Sequence, residues 1–210
     1  MLNTISIKGT VLTPAVRAAG ILPRGSALLT SSGALKKQGI VAIIHAASGA
    51  MGHSGGDFEP TLESIELSAK NSVLLAQSHG FNRIAMPLIG GGIFASRIGV
   101  STEQLTEAIL KAASADNNGV TVVMVLFSPD QQAVASGLVN YLGLQVQIEV
   151  KGGSITDFQV HGAPVIVNAA NMEVTFGGGL SGAIGRATGD MDAINAEAHA
   201  EIAKFYQVQN

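Results

Sequence analysis

"PVIVNAANMEVTFGGGLSGAIGRATG", running from Pro164 to Gly189, decides how this chain is read. An apolar run ends in Asn168-Ala169-Ala170-Asn171. A short loop follows, and three glycines, Gly177 to Gly179, lead into a stretch with a helical start. Strand, amide side chains, bare backbone and helix form an order that brings main-chain N–H groups up to an anion. Glycines permit close approach, and a helix N-terminus adds a positive dipole. Gly177-Gly178-Gly179-Leu180-Ser181-Gly182 also satisfies G-x-G-x-x-G. The dinucleotide version of that fingerprint needs a later strand whose acid binds ribose. The residues after Gly182 read as helix, so a conventional NAD fold is not expected. Adjacent glycines cost conformational entropy, which favours a ligand over a purely structural turn as their reason.

Working outward, Gly90-Gly91-Gly92-Ile93-Phe94-Ala95 repeats the arrangement after the apolar run 83–89. The next helix is expected only at Ser101, leaving a long loop. Two glycine triplets, each following a strand, read as two walls of one phosphate cleft. The remaining sequence alternates apolar runs with helical periodicity. Strands are expected at 5–12, 26–30, 39–47, 83–89, 120–127, 144–150 and 164–170. Helices are expected from Pro60 to His79, from Ser101, from Pro129 to Leu142 with Ser128 as N-cap, and from Met191 onward. Strands without apolar–polar alternation are covered on both faces, which makes this one α/β domain of three layers. Ligands of such sheets bind at loops leaving the carboxyl ends of strands: here 46–58, 88–99, 128–130 and 168–182.

Composition narrows the partners. Among 210 residues, 47% are hydrophobic, 13% are charged and 26 are glycine, as in a globular α/β protein rather than a disordered one. A net charge of −3 with 12 Lys and Arg supplies no basic face for nucleic acid. There is no cysteine, so disulfides and thiolate metal sites are excluded. No apolar run is long enough to span a membrane, and "MLNTISIKGT" has no signal-peptide core; a cytoplasmic location is expected ahead of classical export. Gly52-His53-Ser54-Gly55-Gly56 matches the G-x-S-x-G nucleophile elbow and makes Ser54 the candidate for an alternative reading as a serine hydrolase. That elbow demands a tight strand–turn–helix, whereas several residues separate Ser54 from the strand and helix on either side. His45, His53, Asp57 and Glu59 have no standard metal spacing. His45 reads as a hydrogen-bonded histidine at a strand end, and neither a metal nor a cofactor is expected.

The segment "VIVNAANMEVTFGGGLSGAIGRATG" resembles the signature of the macro domain, the ADP-ribose-binding module. "IEVKGGSITDF" is similar to that family's first strand and G-D-I-T turn, and "IAMPLIGGGIF" to its second phosphate loop. "GSALLTSSGALKKQGIVAIIHAASG" resembles the stretch ending in a strand and histidine. The resemblance implies a three-layer α/β/α fold with a mixed central sheet, one domain over 1–210, in circularly permuted order. Residues 144–206 resemble the family's N-terminal half and 22–143 its C-terminal half, with the old ends joined near Leu142-Gly143-Leu144. The stretch 5–12 has no clear counterpart.

The resemblance also implies roles. Asn171 contacts the distal ribose and, in a hydrolase, orients substrate or water; Asn168 shapes the loop. Gly177, Gly178, Gly179, Leu180 and Ser181 wrap the diphosphate and distal ribose from one side. Gly90, Gly91, Gly92, Ile93 and Phe94 close the other side with backbone amides. Phe127 lies against adenine, the alternative being a core residue at a strand end, and Ile155 offers a backbone contact to the base. Three positions depart from the family. The G-D-I-T aspartate is Ser154, the aspartate that some hydrolases carry after the triplet is Ser181, and the histidine that precedes the triplet in viral members is Phe176. The implied activity is ADP-ribose binding with removal of mono-ADP-ribose from proteins; the alternative is a non-catalytic reader of ADP-ribose or a related nucleotide. The implied partner is ADP-ribose or an ADP-ribosylated protein.

Overall fold

The computed structural model describes residues 20–50 and 59–209. The strand expected at 5–12 lies outside the described residues. Strands β1 (Ser26–Ser31), β2 (Ala42–Ala47), β3 (Arg83–Met86), β4 (Thr121–Leu126), β5 (Ile148–Gly152) and β6 (Val165–Ala170) form one sheet in the order β1-β2-β6-β3-β4-β5. β1 runs antiparallel to β2, and every other neighbouring pair is parallel. Five strands therefore deliver their carboxyl ends to one edge, and β6, last in the sequence, lies between β2 and β3.

The helices are α1 (Leu62–Ser78), α2 (Ile93–Ile98), α3 (Thr102–Ser114), α4 (Pro129–Tyr141), α5 (Phe158–His161), α6 (Gly179–Ala187) and α7 (Met191–Gln209), with a 3-10 turn at Gly33–Gln38. Alternate strand residues supply two apolar layers. Ala42, Ile44, Ile84, Val122 and Val165 pack with Ile65 and Val73 of α1, Leu105 and Ile109 of α3, and Ala135 of α4. Ile43, Ala85, Val123 and Ile166 face the other way, onto Leu35, Ile155 and Ile184. A third cluster joins Leu28 of β1 to Met172, Val174 and the α7 residues Ala198 and Ile202. Burying both faces of the inner strands β2, β6, β3 and β4 explains their continuous apolar character, whereas edge strand β5 is partly exposed. The result is a mixed six-stranded sheet with helices on both faces.

Helix starts follow local chemistry. Thr61 caps α1 by accepting from Ser64 N–H at 3.0 Å, while Ser64 Oγ accepts from Thr61 N–H at 2.9 Å. Ser101 and Gln104 form the same reciprocal box at α3. Each cap contributes about 1 kcal/mol. Pro129 occupies the first position of α4 after Ser128, whose side chain makes no capping bond.

Several elements differ from the sequence expectation. The loop expected between Gly92 and Ser101 contains α2, which ends in left-handed Gly99. β3 stops at Met86, before Pro87, which has no N–H for the ladder. β5 covers 148–152 rather than 144–150 because Leu144 closes α4, donating its N–H to Val139 C=O, and itself accepts from Gln147 N–H. β2 begins at Ala42 rather than Gly39, which ends the 3-10 turn in the left-handed region.

Candidate functional site

At the carboxyl edge, two loops face each other across a cleft of about 370 Å³. One leaves β6 and supplies Asn171, Gly177, Gly178, Gly179, Leu180 and Ser181; the other leaves β3 and supplies Leu88, Gly90, Gly91, Gly92 and Phe94. Ser48, directly after β2, and Ala169 and Ala170 of β6 complete the described lining. The volume suits a small-molecule ligand. No charged side chain stands among these residues, so an anion here meets backbone amides and hydroxyls rather than cations.

The glycines divide into two groups, Gly91 belonging to the first because a Cβ there would meet Leu88 Cδ2 at 2.8 Å. Gly90 and Gly179 have φ of +76° and +56°, a region that glycine adopts at little cost. A Cβ on Gly90 would also meet Ile65 Cδ1 at 2.5 Å. Gly92, Gly177 and Gly178 have neither constraint: their φ lies outside that region, and a Cβ on any of them would meet nothing within 4 Å. Protein packing therefore does not account for glycine at these three positions, and all three line the cleft. Gly178 is the N-cap of α6 and offers no capping side chain, which leaves the first turn open to an anion.

The loop from Asn171 to Gly177 is held under strain. Val174 is β-branched yet has φ of +50°, a conformation costing about 1–3 kcal/mol unless its surroundings impose it. They do so at several points. Asn171 Oδ1 accepts from Thr175 N–H at 3.2 Å, and its Nδ2 donates to Thr175 C=O at 3.3 Å. Met172 N–H donates to Gly49 C=O at 3.0 Å. From α7, Asn195 Oδ1 accepts from Phe176 N–H at 3.2 Å, and His199 Nε2 donates to Glu173 C=O at 2.9 Å. Helix α7 thus braces the loop that presents Asn171 and the triplet.

Beneath the cleft, His45 is 1% exposed and lies against Phe176, with ring centroids 5.6 Å apart. Thr30 Oγ1 donates to Ser31 C=O and accepts from His45 Nε2 at 2.9 Å, which places the imidazole proton on Nε2. His45 Nδ1 then accepts from Asn168 Nδ2 at 3.2 Å. Burial pushes the His45 pKa down to about 3, so the ring is neutral near pH 7. The strand-end histidine thus links β1 to β6 through Thr30 and Asn168. Three buried side-chain atoms among the described residues lack a hydrogen-bond partner: Ser48 Oγ, Asn168 Oδ1 and Ser181 Oγ. Ser48 and Ser181 line the cleft.

The residues named from sequence fall into two sets. Asn171, Gly177 to Gly179, Leu180, Ser181, Gly90 to Gly92 and Phe94 come together around the cleft. Ile93 opens α2 beside them, and Asn168 lies behind the wall, joined to His45. Phe127, Ser154 and Ile155 are not part of this lining. Phe127, at the end of β4, is 89% exposed and so is no core residue. Ser154 is exposed and shares a 2.8 Å hydrogen bond with Thr156. Ile155 is buried, and its carbonyl accepts from His161 Nε2. His53, Ser54 and Asp57 lie outside the described residues; Glu59 pairs with Arg97 at 3.7 Å. Ser48 was not singled out from the sequence. Its position just past a strand end, in one of the four loops named, was the available signal.

No described helix is long and apolar enough to cross a membrane. Comparison with known proteins gives a match to the macro domain family over residues 8–105. The match takes in the second glycine loop and part of 5–12, the stretch that offered no clear counterpart by inspection, and stops short of the Pro164–Gly189 segment. An uncharacterized protein of Pyrobaculum aerophilum is 32% identical over 115 residues, covering 55% of this chain and 58% of that relative. The mixed sheet between helical layers agrees with this match to the macro domain, a family that generally binds ADP-ribose.

Proposed function

We propose that the cleft binds ADP-ribose and that the protein removes mono-ADP-ribose from modified proteins. The observation that carries the binding reading is the set of unforced glycines, Gly92, Gly177 and Gly178, whose missing side chains leave open space in the cleft. Strand order supports the pose. Along the carboxyl edge stand Ser48 after β2, Asn171 and the first triplet after β6, the second triplet after β3, Phe127 after β4 and Ser154 after β5. Four strand spacings cover roughly 19 Å, an extended path from a base near Phe127 and Ser154, past the diphosphate between the triplets, to the second ribose near Asn171.

For hydrolysis, water attacks the anomeric carbon of the distal ribose and the protein side chain departs. The described lining offers no carboxylate or histidine as general base. Catalysis in this reading comes from holding water and sugar in line and from amide dipoles that stabilise charge on the diphosphate and sugar. Asn171 Nδ2 donates to both the carbonyl and the Oγ1 of Thr175, and its Oδ1 retains a second lone pair for this task. Asn171→Ala is therefore expected to abolish release of ADP-ribose from protein carrying it on acidic side chains, read by mass spectrometry, while affinity for free ADP-ribose falls less than about ten-fold. Unchanged turnover removes Asn171 from the mechanism. Release by neither protein, with ADP-ribose binding intact, replaces the hydrolase with a reader.

Circular permutation belongs to the same reading. Its support is the order of the family-like segments and the place of β6 between two strands that precede it in the chain. A re-ordered chain running 144–210 and then 1–143 is expected to fold and to bind ADP-ribose as the wild type does. Failure to fold where the wild type folds contradicts the permutation.

A further inference from the structure

Ser48 is 1% exposed, lines the cleft, and has a hydroxyl with no hydrogen-bond partner among the described residues. An unsatisfied buried hydroxyl is costly to keep and calls for an explanation. Its backbone is pinned on two sides. Ser64 Oγ, in the capping box of α1, donates to Ser48 C=O at 2.6 Å, and the next residue, Gly49, accepts from Met172 N–H at 3.0 Å. A Cβ on Gly49 would meet Pro60 at 2.9 Å, so the chain passes close to the segment leading into α1. The hydroxyl is thus presented from a fixed backbone rather than from a free loop.

Its place along the edge indicates what it meets. The β2–β6 register pairs Ala47 with Ala170, so the next residues, Ser48 and Asn171, stand side by side. Both glycine triplets lie on loops leaving β6 and β3, while β2 is on the side of β6 away from β3. Ser48 therefore stands beyond the diphosphate walls, at the end opposite Phe127 and Ser154. A phosphate oxygen only accepts hydrogen bonds, whereas a sugar hydroxyl both donates and accepts, as a serine does.

We propose that Ser48 is a specificity-determining residue whose hydroxyl bonds a hydroxyl of the second sugar, so that the cleft distinguishes a nucleoside diphosphate bearing that sugar from the bare nucleoside diphosphate. The inference rests on the ADP-ribose reading given above. Its test is calorimetric titration of wild type and Ser48→Ala, each with ADP-ribose and with ADP. The expected result is that the ratio of ADP-ribose to ADP affinity falls about five- to ten-fold in the variant, as loss of one neutral hydrogen bond implies. An unchanged ratio overturns the inference, whether both affinities are retained or both fall together, since the latter places the hydroxyl on the phosphates. Wild type that binds neither ligand overturns the ADP-ribose reading itself, which separates the two failures. If melting shows Ser48→Ala to be unfolded, Ser48→Cys, which keeps the shape and weakens the donor, serves in the same comparison.

Discussion

Gly178→Asp is expected to leave the protein folded, with a melting temperature at or slightly above that of the wild type, and to lose ADP-ribose binding by on the order of 100-fold or more. Both halves follow from one position. Gly178 is the N-cap of α6, with φ of −89° and ψ of −176°, an extended backbone open to any residue. A Cβ there meets nothing within 4 Å. Aspartate is among the best N-caps and is favoured by the helix dipole, which together contribute from a few tenths to about 1 kcal/mol over glycine. The same carboxylate would occupy the first-turn N–H groups and oppose a diphosphate electrostatically, at a cost of several kcal/mol. A stability gain combined with a binding loss separates a ligand-driven glycine from a structural one. Retained affinity would place the phosphates elsewhere.

Acid is expected to weaken the fold well before most carboxylates protonate. The His45 imidazole is sealed among Thr30, Asn168 and Phe176, and desolvation lowers its pKa from 6.5 to about 3. Above pH 6.5 it is neutral in both the folded and the unfolded chain, and its full contribution is present. Between pH 6.5 and about 3 the unfolded chain binds a proton that the folded one excludes, so stability falls as pH falls. The slope approaches about 1.4 kcal/mol per pH unit, and the dependence from this group ends below the folded value. His161, also lowered chiefly by burial, acts in the same direction. Glu149, stabilised as a carboxylate by its hydrogen bonds to Arg83, adds its loss at lower pH. Urea unfolding at a series of pH values should show a decline of several kcal/mol from pH 7 to pH 4, a large share of a typical domain's roughly 5–15 kcal/mol. A flat profile from pH 7 to pH 4.5 contradicts a buried neutral His45.

Much of this architecture was legible because strands and helices bury apolar surface at different periods. The run at 120–127 and the spacing of Ile65, Ala69, Val73 and Ala76 each read correctly as buried strand and helix face. Ser101 was read as a helix start and caps α3, whereas the cap of α1 is Thr61, one residue past the expected start at Pro60. Short α2 was missed because six residues hold too few periods to stand out from the glycine loop before it. "LQVQIEV" alternates as a strand should, yet its first residues are spent closing α4. Strand pairing could not be read at all, since the placing of β6 between β2 and β3 depends on contacts far apart in sequence. In the site, the glycine triplets were visible by composition. Ser48 was not: serine is common, and only the register with Asn171 and the missing partner single it out. The positive φ of Val174 left no sequence signal either, because the constraint comes from Asn171, Asn195 and His199 acting together.

The most direct measurement is a calorimetric titration of the folded wild-type protein with free ADP-ribose. An ADP-ribose-binding cleft gives saturable one-to-one binding, accompanied by a rise in melting temperature through preferential binding to the native state. Absence of both heat and thermal shift at ADP-ribose concentrations up to about 1 mM, the weak end of the affinity scale, would contradict it: the open glycines would then serve another ligand.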